Sequence, residues 1–308
     1  MLTQTLGSTE LAVSRLAYGC MRIAGTWSPD EITAERKEAA FRTLDAAYEA
    51  GYTFFDHADI YCRGGCERLH GEYLNLHPEL RASTVLATKC GIRFQNEPQG
   101  TVGRYDFSQK HILWSCEQSL QRLGVERIDL YQLHRSDLLM NPDEVAGAFS
   151  KLHDQGKVRH FGVSNFLPST VATLQESLAF PIVVNQIEVS LWRLAPFFDG
   201  VLDQCIRESI VPLSWGPVGG GRVSSPAAEN DSKVEALSDA LAALSRDYEA
   251  EPAVIAIAWL LKHPSGIVPI VGSVRPERIQ AMTRALEIEL TREEWYRLLV
   301  AARGEAMP

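Results

Sequence analysis

The feature that most constrains this chain is an alternation running through nearly its whole length. Short apolar, β-branched runs take turns with longer amphipathic segments. The runs are LAYGCM (16–21), TFFDHA (53–58), TVLATKC (84–90), IDLYQLH (128–134), HFGVSN (160–165), PIVVNQIEV (181–189), IVPLSW (210–215) and GIVPIVG (266–272). Near-continuous apolar strands are those buried on both faces, as in a parallel sheet wrapped by helices. The stretches between them carry helical spacing. Residues 33–50 place Ala40, Leu44, Ala47 and Ala50 on one face, and 110–123 do the same with Ile112, Leu113, Cys116, Leu120 and Leu123. Asn141-Pro142 reads as a cap followed by proline at the first helical position, so a helix is predicted over 142–155. Further helices are predicted over 65–76, 168–178 and 199–208. A pair over 231–263 breaks near Glu251-Pro252, and two more follow over 275–285 and 291–302. The opening TQTLGSTELAV predicts a small hairpin that could plug a barrel floor. The expected fold is α/β: a closed (β/α)8 TIM barrel with a short N-terminal β-hairpin and extra C-terminal helices, one domain over 1–308. An open doubly wound sheet shares the alternation, and strand order is not legible in periodicity.

The formal net charge of -9 favours solubility and argues against nonspecific nucleic-acid binding, while leaving room for a local basic pocket. No apolar run reaches the 18 or so residues of a spanning helix, so no membrane association is predicted. The start of the chain lacks the basic-then-apolar pattern of a secretory signal. Cysteines at 20, 62, 66, 90, 116 and 205 then read as free thiols, which points to the cytoplasm.

In a (β/α)8 enzyme the chemistry sits at the carboxyl ends of the strands. The polar residues ending the apolar runs are Asp56 with Tyr61 just beyond, Lys89, His134, Ser164-Asn165, Gln186, Trp215 and Gly272-Ser273. Singly, each has a bland reading: Asp56 a helix cap, His134 a satisfied structural histidine, Tyr61 no signal at all. Lys89, however, lies within an apolar run, and lysine is rarely buried without a partner, so Asp56 and Lys89 explain each other. The four together suggest acid–base chemistry. A tyrosine with an ordinary pKa of about 10 is a weak acid at neutral pH, and a nearby ammonium is expected to lower that value. A carboxylate would hold the lysine charged. A histidine would hold a substrate oxygen toward the tyrosine, which suits a carbonyl gaining negative charge at oxygen.

Two tempting motifs fail. The glycine run 219–221 is not GxGxxG between strand and helix, so it does not mark a Rossmann fold. His57, Cys62, Cys66 and His70 are zinc-ligand types, but the cysteines lack the usual short pairing, and no metal is expected. The longest interruption, 216–232, is rich in Gly, Ser and Pro and is a candidate lid over the site.

The ordered set FFDHADIY (54–61), ATKCG, DLYQLHR, GKVRHFGVSNF (156–166), VNQIEVS (184–190), PLSWGPVGGGR (212–222) and VGSVRPERI (271–279) resembles the aldo-keto reductases, nearest to a bacterial branch of general oxidoreductases. The resemblance implies reversible NAD(P)H-dependent reduction of aldehydes or ketones on a small-molecule carbonyl substrate. It implies Tyr61 as proton donor, Lys89 and Asp56 as the pair that tunes it, and His134 as the group orienting the carbonyl. By the same resemblance Ser164, Asn165 and Gln186 meet the nicotinamide carboxamide and Trp215 stacks on its ring. The loop Gly216, Pro217, Val218, Gly219, Gly221 and Arg222 covers the pyrophosphate. Ser273, Arg275 and Arg278 lie at the adenosine 2′-phosphate, beside Gly272. The implied cofactor is NADPH, with NADH as the alternative. Gly272 departs from relatives that carry a phosphate-binding lysine there. A slow-turnover regulatory subunit is the rival within the same resemblance. Candidate walls of the substrate pocket are Met21, Ile23, Trp27, Phe94 and Trp192. The expected state is a monomer or weak homo-oligomer.

Overall fold

The computed structural model describes residues 1–224 and 232–307. The chain opens with a hairpin of β1 (Thr3–Thr5) and β2 (Ala12–Ser14), paired antiparallel. It continues through β3 (Ala17–Gly19), α1 (Ala34–Glu49), β4 (Phe54–Asp56), α2 (Gly65–Leu76) and β5 (Val85–Cys90). After a short antiparallel pair, β6 (Ile92–Arg93) and β7 (Arg104–Tyr105), come α3 (Gln109–Leu123), β8 (Ile128–Leu133), α4 (Pro142–Asp154) and β9 (Val158–Ser164). Then follow α5 (Pro168–Ser177), β10 (Ile182–Glu188), α6 (Val201–Glu208) and β11 (Val211–Trp215). The chain ends with α7 (Ser232–Asp247), α8 (Pro252–Leu261), β12 (Val268–Val271), α9 (Pro276–Ala281) and α10 (Arg292–Arg303).

The eight runs expected from the sequence form one closed parallel barrel in chain order, from β3 round to β12. Closure is made by β12 on β3, with Ile270 opposite Ala17 and Val271 opposite Tyr18. This excludes the open doubly wound sheet. The first run is shorter than its apolar length: only Ala17–Gly19 pair, and Cys20–Arg22 turn as a 3-10 helix at the mouth. The pair β6–β7 is not anticipated by the sequence reading, because two residues per strand leave no periodicity to detect. Helix starts follow local chemistry. Asn141 accepts from the Asp143 amide ahead of Pro142, and Thr291 with Glu294 makes a capping box for α10. Among the described residues no helix is long and apolar enough to cross a membrane.

Apolar side chains divide into two layers. The larger packs strands against helices and includes Phe55, Leu86, Tyr131, Leu133, Phe161 and Val163. The smaller fills the barrel and includes Phe54, Val85, Ala87, Leu130, Val211, Leu213 and Val268, closed below by Leu6, Leu11 and Val13 of the hairpin. Strand side chains alternate faces with a period of two. Phe54 and Asp56 therefore share the inward face of β4, and Val85, Ala87 and Lys89 share that of β5. Leu130 and Gln132 lead inward to His134, and Val211 and Leu213 lead inward to Trp215. The alternation that fills the floor carries the polar residues to the mouth.

Candidate active site

Lys89 is fully buried, and its ammonium has three acceptors: Asp56 Oδ2 at 2.9 Å, the His57 carbonyl at 2.7 Å and the Tyr61 hydroxyl at 3.2 Å. Three N–H donors thus meet three oxygens. The second Asp56 oxygen, Oδ1, accepts from Gln186 Nε2 at 2.8 Å. Tyr61 stands on the turn between β4 and α2. Cys62 and Arg63 both have φ of 48° there, left-handed backbone that non-glycine residues seldom adopt, followed by Gly64 at 83°. That fold-back sets the Tyr61 ring edge-on to His134, with centroids 6.0 Å apart and planes at 82°.

The charges follow from burial and neighbours. Burial disfavours the Lys89 ammonium, but Asp56 and Tyr61 outweigh it, and its pKa rises above the ordinary value. Burial is also the largest influence on Tyr61 and lifts its pKa above the ordinary value, although Lys89 pulls the other way. The lowered value expected from the sequence is therefore not the net result. A sequence shows the cation but not the depth of burial opposing it, and Asp56 adds to the rise. Burial, Lys89 and Arg135 together hold the His134 pKa well below the usual range, so its imidazole is neutral at pH 7. Its Nδ1 is buried and has no partner within the described residues.

Above these groups opens a cavity of about 790 Å³, a size suited to a cofactor and a small substrate. Asp56, Tyr61, His134, Ser164, Asn165, Gln186 and Trp215 line its deep wall, while Lys89 lies behind them. Gly216, Pro217, Val218, Gly219, Gly221 and Arg222 line it as well, as do Gly272, Ser273, Arg275 and Arg278. Met21, Trp27 and Trp192 also face it. Phe94 and Ile23 do not: the Phe94 ring lies under the Arg63 guanidinium at 4.5 Å, and Ile23 is packed in the core. A residue just past a strand end can turn to either side of the loop, and periodicity does not say which. Of the candidate lid at 216–232, residues 225–231 lie outside the described residues.

The indole of Trp215 is held in place. Its Nε1 donates to Asn165 Oδ1 at 2.9 Å, Asn165 Nδ2 donates to Ser164 Oγ at 2.7 Å, and Ser164 Oγ donates to the Gln186 carbonyl at 3.0 Å. Gly219, at φ 61°, lies against Trp192, and a Cβ there would come within 2.8 Å of that ring. These features fit a nicotinamide dinucleotide: a fixed aromatic face, a side-chain-free approach and arginines at 222, 275 and 278.

The zinc-type set is redistributed. Cys62 and Cys66 stay apart from the histidines, and Cys20 joins His57 and His70 instead, with ligand-type atoms within 4.8 Å. The histidines are already engaged: His57 Nε2 lies 2.8 Å from His70 Nδ1, and His70 Nε2 lies 2.9 Å from the Tyr48 hydroxyl. Burial lowers both, His70 to about 3, so they form a neutral hydrogen-bonded chain. Arg135 and Glu188 also line the cavity and had no role in the sequence reading. The signal for Arg135 was its place directly after His134 in LHR.

Comparison with known proteins agrees with this geometry. The profile of the Aldo/keto reductase family matches residues 15–301. The oxidoreductase YdhF of Escherichia coli is 41% identical over 266 residues, spanning 86% of this chain and 88% of the relative. A 6-dehydroglucose reductase of Novosphingobium aromaticivorans is 39% identical over 309 residues, spanning 98% and 96%. The holo form of the aldo-keto reductase AKR11C1 from Bacillus halodurans superposes with a TM-score of 0.82 at 25% identity, covering 98% of this chain and 96% of that one. Fold, site and relatives converge: this chain is an oxidoreductase and belongs to the aldo/keto reductase family.

Proposed function

We propose that this protein reduces an aldehyde or ketone to the alcohol with NADPH, Tyr61 donating the proton. Family membership carries the coarser statement, nicotinamide-dependent carbonyl reduction. The observation that carries the finer one is the single buried ammonium, Lys89, bonded at once to Asp56 and to the hydroxyl of Tyr61 beside the cavity.

When bound, the nicotinamide supplies hydride to the carbonyl carbon. The carbonyl oxygen then gains negative charge and takes the Tyr61 proton. Burial keeps that proton on Tyr61 in the resting protein. Lys89 stabilises the phenolate left behind, and Asp56 keeps Lys89 charged. The neutral His134 imidazole can donate one hydrogen bond to the substrate oxygen without competing as an acid. Trp215 offers a flat face to the cofactor ring, and Ser273, Arg275 and Arg278 suit a 2′-phosphate, which favours NADPH over NADH. Six unpaired thiols fit a reducing compartment such as the cytoplasm.

The test is Tyr61→Phe. Oxidation of NADPH by a reactive aldehyde should fall by about 10³-fold, within the range for general acid catalysis, while NADPH binding followed by fluorescence is retained. Unchanged turnover rejects the assignment. The carbonyl panel should pair aromatic aldehydes with 6-dehydroglucose, the compound in the name of one relative, and run NADH in parallel.

A further inference from the structure

Arg135 follows His134 and lines the cavity, yet the acid–base set makes no use of it. It is half-buried, and among the described residues it has no carboxylate at ion-pair distance and no side-chain hydrogen bond. Its guanidinium carbon lies over the Trp215 ring, 5.3 Å from the centroid. The other arginines on the cavity differ. Arg22, Arg222, Arg275 and Arg278 are exposed, where water solvates them, and Arg275 is also paired with Glu277. A half-buried arginine on a cavity wall with no protein anion beside it can take one from a ligand. Of the acids lining the cavity, Asp56 is bonded to Lys89 and Gln186, Glu188 faces Arg193 at 3.8 Å, and Glu251 is exposed.

We propose that Arg135 is a carboxylate-recognising subsite, so that the carbonyl substrate carries a carboxylate which this guanidinium takes in two parallel N–H···O bonds. The inference rests on the reductase reading above. Planarity and a fixed fork of donors match a carboxylate. One half-buried cation balances one negative charge, whereas a phosphate dianion would call for a second. The cofactor phosphates have their own arginines on the cavity, at 222, 275 and 278. Position also fits: Arg135 follows the residue that holds the carbonyl, and bears on the charge of His134.

The probes are 2-, 3- and 4-formylbenzoate, each against its own methyl ester, which keeps the aldehyde and removes the charge. For at least one isomer, wild-type kcat/KM should exceed that of the ester by about tenfold or more, the scale of a charged hydrogen-bonded contact. Arg135→Gln should bring that ratio to about one, and Arg135→Lys should keep part of it. The same pairs are titrated calorimetrically into the protein with NADP⁺, where no reduction occurs. Acid binding tighter than ester in wild type, lost in Arg135→Gln, supports the subsite. Equal binding of acid and ester in wild type, or a preference that survives Arg135→Gln, overturns it. If no aldehyde is turned over while the binding preference holds and depends on Arg135, the reductase reading fails and the subsite stands.

Discussion

At the floor of the barrel the inward faces of the strands present Phe54, Val85, Leu130, Val211 and Val268 to Leu6, Leu11 and Val13 of the hairpin. At the mouth the same faces end in Asp56, Lys89, His134, Gln186 and Trp215. One period-two pattern builds both ends, and two to four residues along a strand separate them. The floor gains stability from every apolar atom withdrawn from water. The mouth withdraws a carboxylate and an ammonium from water, which gains little over an apolar pair even when the geometry is good. Its charges are better explained by chemistry than by stability.

Breaking the pair at the mouth should give the largest effect. Lys89→Met leaves Asp56 buried with only the Gln186 bond to its carboxylate. Removing one partner of a buried pair typically costs about 3–5 kcal/mol. Turnover should fall by about 10³-fold as well, since nothing then stabilises the Tyr61 phenolate. Adding Asp56→Asn should restore much of the urea midpoint and none of the turnover. A double variant as unstable as the single one would show that the orphaned charge is not the cause.

The matching test at the floor separates the two properties. Leu6→Ala empties part of a fully buried site on the hairpin and should cost about 2–5 kcal/mol. Well below its unfolding transition the variant should keep kcat/KM within about threefold, because the cavity it leaves lies at the opposite end from Tyr61. A turnover loss comparable to that of Lys89→Met would mean that the ends are mechanically coupled.

The same contrast explains what the sequence could reveal. The strands were legible because burial on both faces writes itself as unbroken apolar runs, and Lys89 stood out as a charge inside one. Asp56, His134, Gln186 and Trp215 followed as the residues ending such runs. Net energetics were not legible. The rise in the Tyr61 pKa depends on a depth of burial that LATKC and HADIY do not encode. Arg135 was visible in LHR, but its lack of an anionic partner appears only once the chain is folded. Phe94 was misplaced for a related reason: the short β6–β7 pair, whose Ile92 lines the cavity while Phe94 just past it lies under Arg63, has no periodicity of its own.

Acid should separate the ends further. The inner apolar cluster holds no titrating group. Behind the mouth, burial holds His57 well below its usual range and His70 at about 3. In the unfolded chain both take up a proton near pH 6.5, so between there and about 3 the unfolded state binds more protons. The stability tied to these two histidines is fully present above pH 6.5 and is lost as pH falls through that window, while Asp59, whose pKa burial raises to about 7, acts in the opposite direction. For His70 alone the loss at pH 5 is about 2 kcal/mol. Urea midpoints at pH 7 and 5 test this. His70→Gln, which keeps a hydrogen-bonding side chain but does not titrate, should show a shallower decline, and an equal decline would locate the acid sensitivity elsewhere.

The smallest effect expected is also the most selective. Gly7, at the floor, has φ of 62°, and a Cβ there would lie 2.7 Å from the Ser209 carbonyl oxygen, so that position is closed to side chains. Gly272, on the cavity beside Ser273, is exposed and has an ordinary φ, and an added Cβ meets nothing within 4 Å. Position 272 therefore has room where position 7 has none. Gly272→Lys should place an ammonium within reach of a 2′-phosphate. An exposed ion pair contributes up to about 1 kcal/mol, so NADPH should bind up to about fivefold tighter and NADH should not change. The gain should vanish at about 1 M salt, where the screening length falls to about 3 Å. Equal tightening of both cofactors would mean that the lysine acts on the pyrophosphate they share. No change with either would move the 2′-phosphate away from Ser273, Arg275 and Arg278, and with it the physical basis for preferring NADPH.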